Sequence, residues 1–198
     1  MAVVYCLLLG AIWTQRGPAN KVFVGSVAAC IIAFLWKDVA SIRELGFRLP
    51  STSNILKILG TGLLLSVLLY VLSVLTGQIH QPSYDIRWHD AWQYTIWAVV
   101  QQFILQTFFY VRLESLLGSR RALWAAAALF SAAHIPSPLL TVATFAGGLI
   151  FCELYRRYRS IVPLGLIHAA LGLTIAASFS DAWLHHMRVG IGYLTFHG

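Results

Sequence analysis

The chain has 198 residues, of which 59% are hydrophobic and only 11% charged, against roughly 25% charged in an ordinary soluble domain. Mean hydropathy is +0.74, and the formal net charge is +7, from 14 Lys and Arg against 7 Asp and Glu. A small globule must face water over part of its surface, so this composition excludes a soluble globular protein, a disordered chain and a nucleic-acid binder of the usual basic, polar kind. It leaves an all-α, polytopic transmembrane helical bundle.

A membrane span needs ~20 mostly apolar residues. In chain order the apolar segments are about 1–13, 20–36, 54–76, 92–111, 122–134, 138–155 and 161–179. The first and fifth are short, so they tilt, fray or continue into a neighbour. No linker or repeat divides the chain, and the loops are brief, so residues 1–198 read as a single integral membrane domain of about seven helices. The N-terminus, MAVVYCLLLGAIW, lacks a basic region and reads as a retained first segment, not a signal peptide.

The basic residues orient the bundle. Lys37, Arg43, Arg48 and Lys57 follow the second segment, Arg112, Arg120 and Arg121 the fourth, and Arg156, Arg157 and Arg159 the sixth. The opposite side holds Arg16, Lys21, Arg87 and Arg188. The positive-inside rule puts the richer side in the cytoplasm. We therefore expect a bacterial plasma-membrane protein with a cytoplasmic N-terminus and an external C-terminus, and with membrane lipids as its first partners.

Several features have plain structural readings. Cys6, Cys30 and Cys152 sit far apart in apolar runs, without metal or redox spacing, and read as small buried hydrophobes. The loop SIRELGFRLPSTSN has two readings. It lies flat on headgroups through Leu45, Phe47 and Leu49, or it is a connector ending at Pro50 before a Ser/Thr/Asn helix cap. The stretch QIHQPSYDIRWHDAW, with His80, Tyr84, Trp88, His89 and Trp92, reads as interfacial. So does the tail with Trp183, His185, His186, Arg188 and Tyr193, where Gly190 and Gly192 imply a turn.

Polar residues inside spans are costly and mark function by default. The fourth segment carries Gln101, Gln102 and Gln106, the fifth ends at His134, and the seventh holds His168. Gln102 and Gln106 share a helix face, and Gln101 is rotated by about 100°. Counted at 1.5 Å per residue from Arg112, Arg121 and Arg159, residues 101, 134 and 168 fall at roughly 16, 20 and 14 Å. Three helices thus bring two imidazoles and an amide pair to a similar depth.

Residues 44–172 resemble the CAAX prenyl protease / Abi family of intramembrane endopeptidases. The likeness rests on Phe130-Ser-Ala-Ala-His134, on GGLIFCELYRRYRSIVPLGLIHAA leading to His168, and on the upstream ELGFRLPS. It implies the CAAX protease / Abi fold and peptide-bond hydrolysis of a membrane-embedded peptide or protein, with Gln101, Gln102, His134 and His168 at the catalytic positions and Gln106 and Phe130 binding substrate. The family's Glu-Glu is here Gln101-Gln102, its Arg is Gln106, and its final Asn is Gly172. In the family the glutamate is taken to activate water. A neutral amide cannot act as that base, although it can position water or donate to an oxyanion, and a histidine can titrate near neutrality.

Three function classes follow. One is a peptidase whose histidines polarise the scissile carbonyl while the glutamines orient water. Another is a catalytically impaired pseudoprotease that binds a membrane segment or lipid, as a scaffold or assembly subunit. A transporter is the third, and would require broken helices or paired repeats. Two histidines without a convergent carboxylate or thiolate fall short of the three protein ligands typical of catalytic zinc, so no metal and no other cofactor is expected.

Overall fold

The computed structural model describes residues 1–38, 45–78 and 87–196. Among these the chain is all-α, without a strand. The helices are α1 (Ala2–Trp13), α2 (Pro18–Asp38), α3 (Thr52–Leu75), α4 (Trp88–Gln102), α5 (Val111–Leu117), α6 (Ser119–Ala132), α7 (Pro138–Tyr158) and α8 (Val162–Ser178). Two short turns, α9 (Asp181–Leu184) and α10 (Ile191–Leu194), complete the tail. A π-helical stretch, Phe103–Tyr110, joins α4 to α5 without a break. His80 and Tyr84, with Arg43 and Glu44 of the second loop, lie outside the described residues.

Pro18–Lys37, Thr52–Leu75 and Pro138–Tyr158 are long and apolar enough to cross a membrane, and this is an integral membrane protein. Much of their apolar surface faces outward. Leu63, Leu68 and Leu75 on α3 are exposed, a pattern water would penalise and lipid accepts.

Inside the bundle, α8 packs on α3 and α4, α6 packs on α7, and α1 packs on α2. Small residues permit the close approaches. A Cβ at Gly165 of α8 would lie 2.9 Å from Cα of Val99 on α4, and one at Gly62 of α3 would lie 2.6 Å from Cβ of Ile167. Helix α8 consequently forms the buried centre, with Leu164, Ile167, His168 and Leu171 all enclosed.

The second loop behaves as a connector over its described part. Ile161 N–H donates to the Gly46 carbonyl at 2.8 Å, Phe47 bridges Ser160, and Thr107 Oγ1 donates to the Leu45 carbonyl at 2.9 Å. Gly46 has φ +84°, and a Cβ there would press on Ile161 and Tyr155, so glycine suits this turn. Of the loop's three apolar residues, Phe47 and Leu49 stay exposed, at 43% and 67%, and Leu45 is half-buried.

The tail folds back onto the bundle end remote from the arginine cluster. Gly190 N–H donates to the Ile135 carbonyl at 2.9 Å, and Ser180 Oγ donates to Gln78 Oε1 at 2.7 Å. His185 stacks on Tyr193 with ring centres 3.9 Å apart, and His186 pairs with Asp181 at 2.7 Å. These histidines join the tail to itself, while Trp183 remains exposed as an interfacial residue would be.

Candidate functional site

A cavity of about 310 Å³ lies between α3, α4, α6, α7 and α8, and the tail contributes Met187 and Val189 to its wall. The wall is mainly leucine, aromatic and small residues. Its polar side chains include Tyr94, Gln101, His134, Thr144 and His168. Gln101, His134 and His168 therefore meet in one cavity, as their common depth implies. Phe130 lines it too, with its ring 4.8 Å from the His134 ring and 5.7 Å from the His168 ring.

Each histidine is held differently. His134 sits in the turn just after α6, and its Nδ1 lies 2.7 Å from the Phe130 carbonyl. A carbonyl oxygen only accepts, so Nδ1 carries the proton and Nε2 of the neutral ring keeps a lone pair. His168 is buried on α8, with Phe151 tilted against it at 5.3 Å. Its Nδ1 lies 3.1 Å from Gln102 Nε2. An amide nitrogen only donates, so Nδ1 accepts and the proton of the neutral ring is on Nε2.

Gln102 is itself oriented by Gln106, whose Nε2 donates to Gln102 Oε1 at 3.1 Å. The direction of this relay follows from what lies behind it. Gln106 Oε1 is buried with no hydrogen-bond partner among the described residues. Reversing both amides would put an unpartnered NH₂ there, and an orphaned donor is rarer in folded proteins than an under-satisfied carbonyl. The two adjacent glutamines thus divide their work. Gln101 faces the cavity, while Gln102 and Gln106 are buried behind His168, and Gln106 does not line the cavity.

The described carboxylates lie elsewhere. Glu114 accepts from Tyr110 Oη at 3.0 Å and pairs with Arg159 at 2.6 Å. Glu153 pairs with Arg156 at 2.7 Å and with Arg157 at 2.5 Å. Asp90 and Asp181 sit at helix starts, and no described carboxylate lines the cavity. Among the described residues no three of His, Cys, Asp and Glu converge as metal ligands would.

Sequence reasoning missed Tyr94, Phe151, and the tail residues Met187 and Val189. Tyr94, Trp97 and Gln101 fall at i, i+3 and i+7 on α4, a helical face that could have been read from spacing. The π-helical stretch after Gln102 was also missed. It encloses six consecutive residues, Leu105 to Tyr110, which no 3.6-residue period predicts.

Residues 91–174 match the model of a family described as type II CAAX prenyl endopeptidase Rce1-like. This segment of the chain is similar to that family, which supports membership of it. The family so described is one of CAAX-type endopeptidases. No curated protein and no solved structure matches the chain. The matched segment runs from the start of α4 to α8 and contains every glutamine and histidine of the cavity and its relay, within a helical membrane bundle.

Proposed function

We propose that this chain hydrolyses a peptide bond of a membrane-embedded substrate with two neutral histidines of opposite hydrogen-bond polarity. The observation that carries this reading is that His134 Nδ1 lies 2.7 Å from the Phe130 carbonyl and His168 Nδ1 3.1 Å from Gln102 Nε2, with both rings at one cavity; these partners assign a free lone pair to His134 Nε2 and a proton to His168 Nε2. In this scheme His134 Nε2 takes a proton from water, and the hydroxide adds to the scissile carbonyl carbon. His168 Nε2–H then donates to the resulting oxyanion. The C–N bond breaks as His134-H⁺ returns the proton to the leaving nitrogen, giving an amine and a carboxylic acid. Gln101 positions the water, and Phe130 holds the substrate between the two imidazoles.

The arginines at the α5 and α7 ends support a cytoplasmic face there, with the N-terminus inside and the C-terminus outside a bacterial plasma membrane. The substrate is an apolar peptide or protein segment that enters from the lipid.

A second reading is favoured by a specific observation, that no described carboxylate lines the cavity. In it the protein binds a membrane segment or lipid without cleaving it. The two are separated by a quantitative survey of protein termini in native-host membranes, comparing a deletion strain complemented with wild type or with His134→Ala at matched expression. Termini that appear only with wild type establish hydrolysis and name the substrates. Identical profiles, with the deletion phenotype rescued by His134→Ala, overturn hydrolysis in favour of binding.

A further inference from the structure

We propose that Gly147 sets which substrates the cavity accepts, by leaving room beside His168 for a large apolar side chain on the acyl side of the cleaved bond. This rests on the endopeptidase reading and assigns its side-chain preference to a position outside the glutamine and histidine motifs.

Two neighbouring glycines of α7 have different surroundings. A Cβ at Gly148 would lie 3.0 Å from Cα of Ala127 on α6 and 3.2 Å from its Cβ, so the close packing of α6 on α7 requires glycine there. Gly147 has no such neighbour. Among the described residues a Cβ there would meet only Phe151, at 3.4 Å from Cε2 and 3.8 Å from Cζ, which is ordinary contact. Its backbone is helical, without the positive φ that calls for glycine, and glycine is a poor helix former. Neither helix packing nor backbone geometry accounts for the missing side chain.

The cavity does account for it. Gly147 lines the cavity, and so do the residues one turn away on the same helix face, Ala143, Thr144, Ile150 and Phe151. Gly147 thus sits in the middle of the α7 wall. The Phe151 ring that a Cβ at 147 would touch also lies against His168, with ring centres 5.3 Å apart. A group resting over Gly147 therefore lies beside the imidazole assigned to the carbonyl oxygen. The residue that carries this carbonyl is the nearest source of such a group.

The surroundings select hydrocarbon. Thr144 Oγ1 donates to the Leu140 carbonyl at 2.6 Å, so its proton is engaged within α7. No described carboxylate lines the cavity, and α3 adds Leu65 and Leu69 to its wall. A charged side chain would lose its hydration here without an opposite charge to meet. A leucyl or phenyl group instead gains contact with the Phe151 ring and fills space that an alanyl methyl leaves empty.

The test uses purified full-length protein in detergent and tritiated N-octanoyl-Xaa-Gly amides, with Xaa Ala, Leu or Phe. Binding is read by scintillation proximity and corrected for the measured partition of each probe into micelles. Wild type should bind the Leu and Phe probes about tenfold more tightly than the Ala probe. In Gly147→Leu the new side chain occupies the room, and the order should reverse. In Gly147→Ala the Phe-to-Ala ratio should fall about fourfold. Thermal melting shows which variants are folded, and Gly147→Ala decides the matter if Gly147→Leu is not.

An unchanged ratio in the deciding variant would overturn the proposal. So would a wild type that binds the three probes equally or binds none. Mass spectrometry of the same samples separates the underlying reading. The expected change of ratio without release of glycine amide counts against hydrolysis and leaves Gly147 as the selectivity position, whereas release of glycine amide at an unchanged ratio removes Gly147 and leaves hydrolysis.

Discussion

Gln102 donates its side-chain amide to Nδ1 of His168 at 3.1 Å, between helices α4 and α8 and across 66 residues of sequence. This single bond decides which nitrogen of the most buried imidazole keeps its proton. Replacing Gln102 by Leu removes that donor and also the acceptor for Gln106. Leaving a buried amide unpaired costs about 1–3 kcal/mol. Gln102→Leu should therefore melt earlier than wild type. In ¹⁵N spectra of labelled histidine, His168 should change from one tautomer to a mixture. An unchanged His168 tautomer would show that the relay does not set it.

The two histidines should matter by different amounts. His168→Ala removes an oxyanion donor, for which about 10²–10³ in rate is typical, and His134→Ala removes the proposed base, worth about 10²–10⁴. Once a substrate is known, turnover by purified protein checks both. His134→Gln is the sharper control, since an amide offers hydrogen bonds but takes up no proton. Recovery of wild-type turnover in His134→Gln would remove general-base catalysis from His134.

Close helix approach should be the main sensitivity of the scaffold. In Gly165→Ala the new methyl meets the Val99 backbone, which cannot rotate away as a side chain end can. Overpacking of this kind typically costs about 1–3 kcal/mol. Gly60, by contrast, has open space beside it, so Gly60→Ala should be neutral or mildly stabilising through helix propensity. Paired thermal melts in one detergent test the contrast, and equal shifts would contradict it.

Arg159 closes α7 in the left-handed region, at φ 48°, and also pairs with Glu114 at 2.6 Å. The two roles separate by substitution. Arg159→Gly loses the ion pair but relieves the backbone, whereas Arg159→Ala loses the pair and keeps the strain. Half-exposed pairs are worth at most about 1 kcal/mol, and a non-glycine residue in this conformation costs about 1–2 kcal/mol. Arg159→Gly should thus be the more stable variant, as melting in the same detergent will show.

Asp90, at the exposed start of α4, is held below its ordinary carboxylate pKa, first by its hydrogen bond from Arg87 and then by the charge of that guanidinium. A depressed folded pKa contributes stability above the unfolded value, which is lost as pH falls through the folded value. Arg87→Ala should return Asp90 toward its usual range, read by ¹³C carboxyl titration. No upward movement would mean that Arg87 does not hold it.

Much of the architecture was legible from residue order because membrane helices obey strong local rules. An apolar run long enough to span must satisfy its own backbone hydrogen bonds, so length and hydropathy located α2, α3 and α7 directly. Spacing also separated Gln101 from Gln102, since 100° of rotation sends one toward the cavity and the other behind His168. Interfacial aromatics hid Tyr94, because a tyrosine near a helix start reads as a membrane anchor until α8 is seen beside it.

The sequence by itself determined the membrane class, the helical segments, and the membership of Gln101, His134 and His168 in one layer, because these depend on composition and on distance along a helix. Only the tertiary structure decided the direction of the Gln106–Gln102–His168 relay and the opposite protonation of the two imidazoles. Each depends on which atoms of different helices meet at hydrogen-bond or van der Waals distance. Those meetings are set by the packing of α8 against α4, which no local period in the chain encodes.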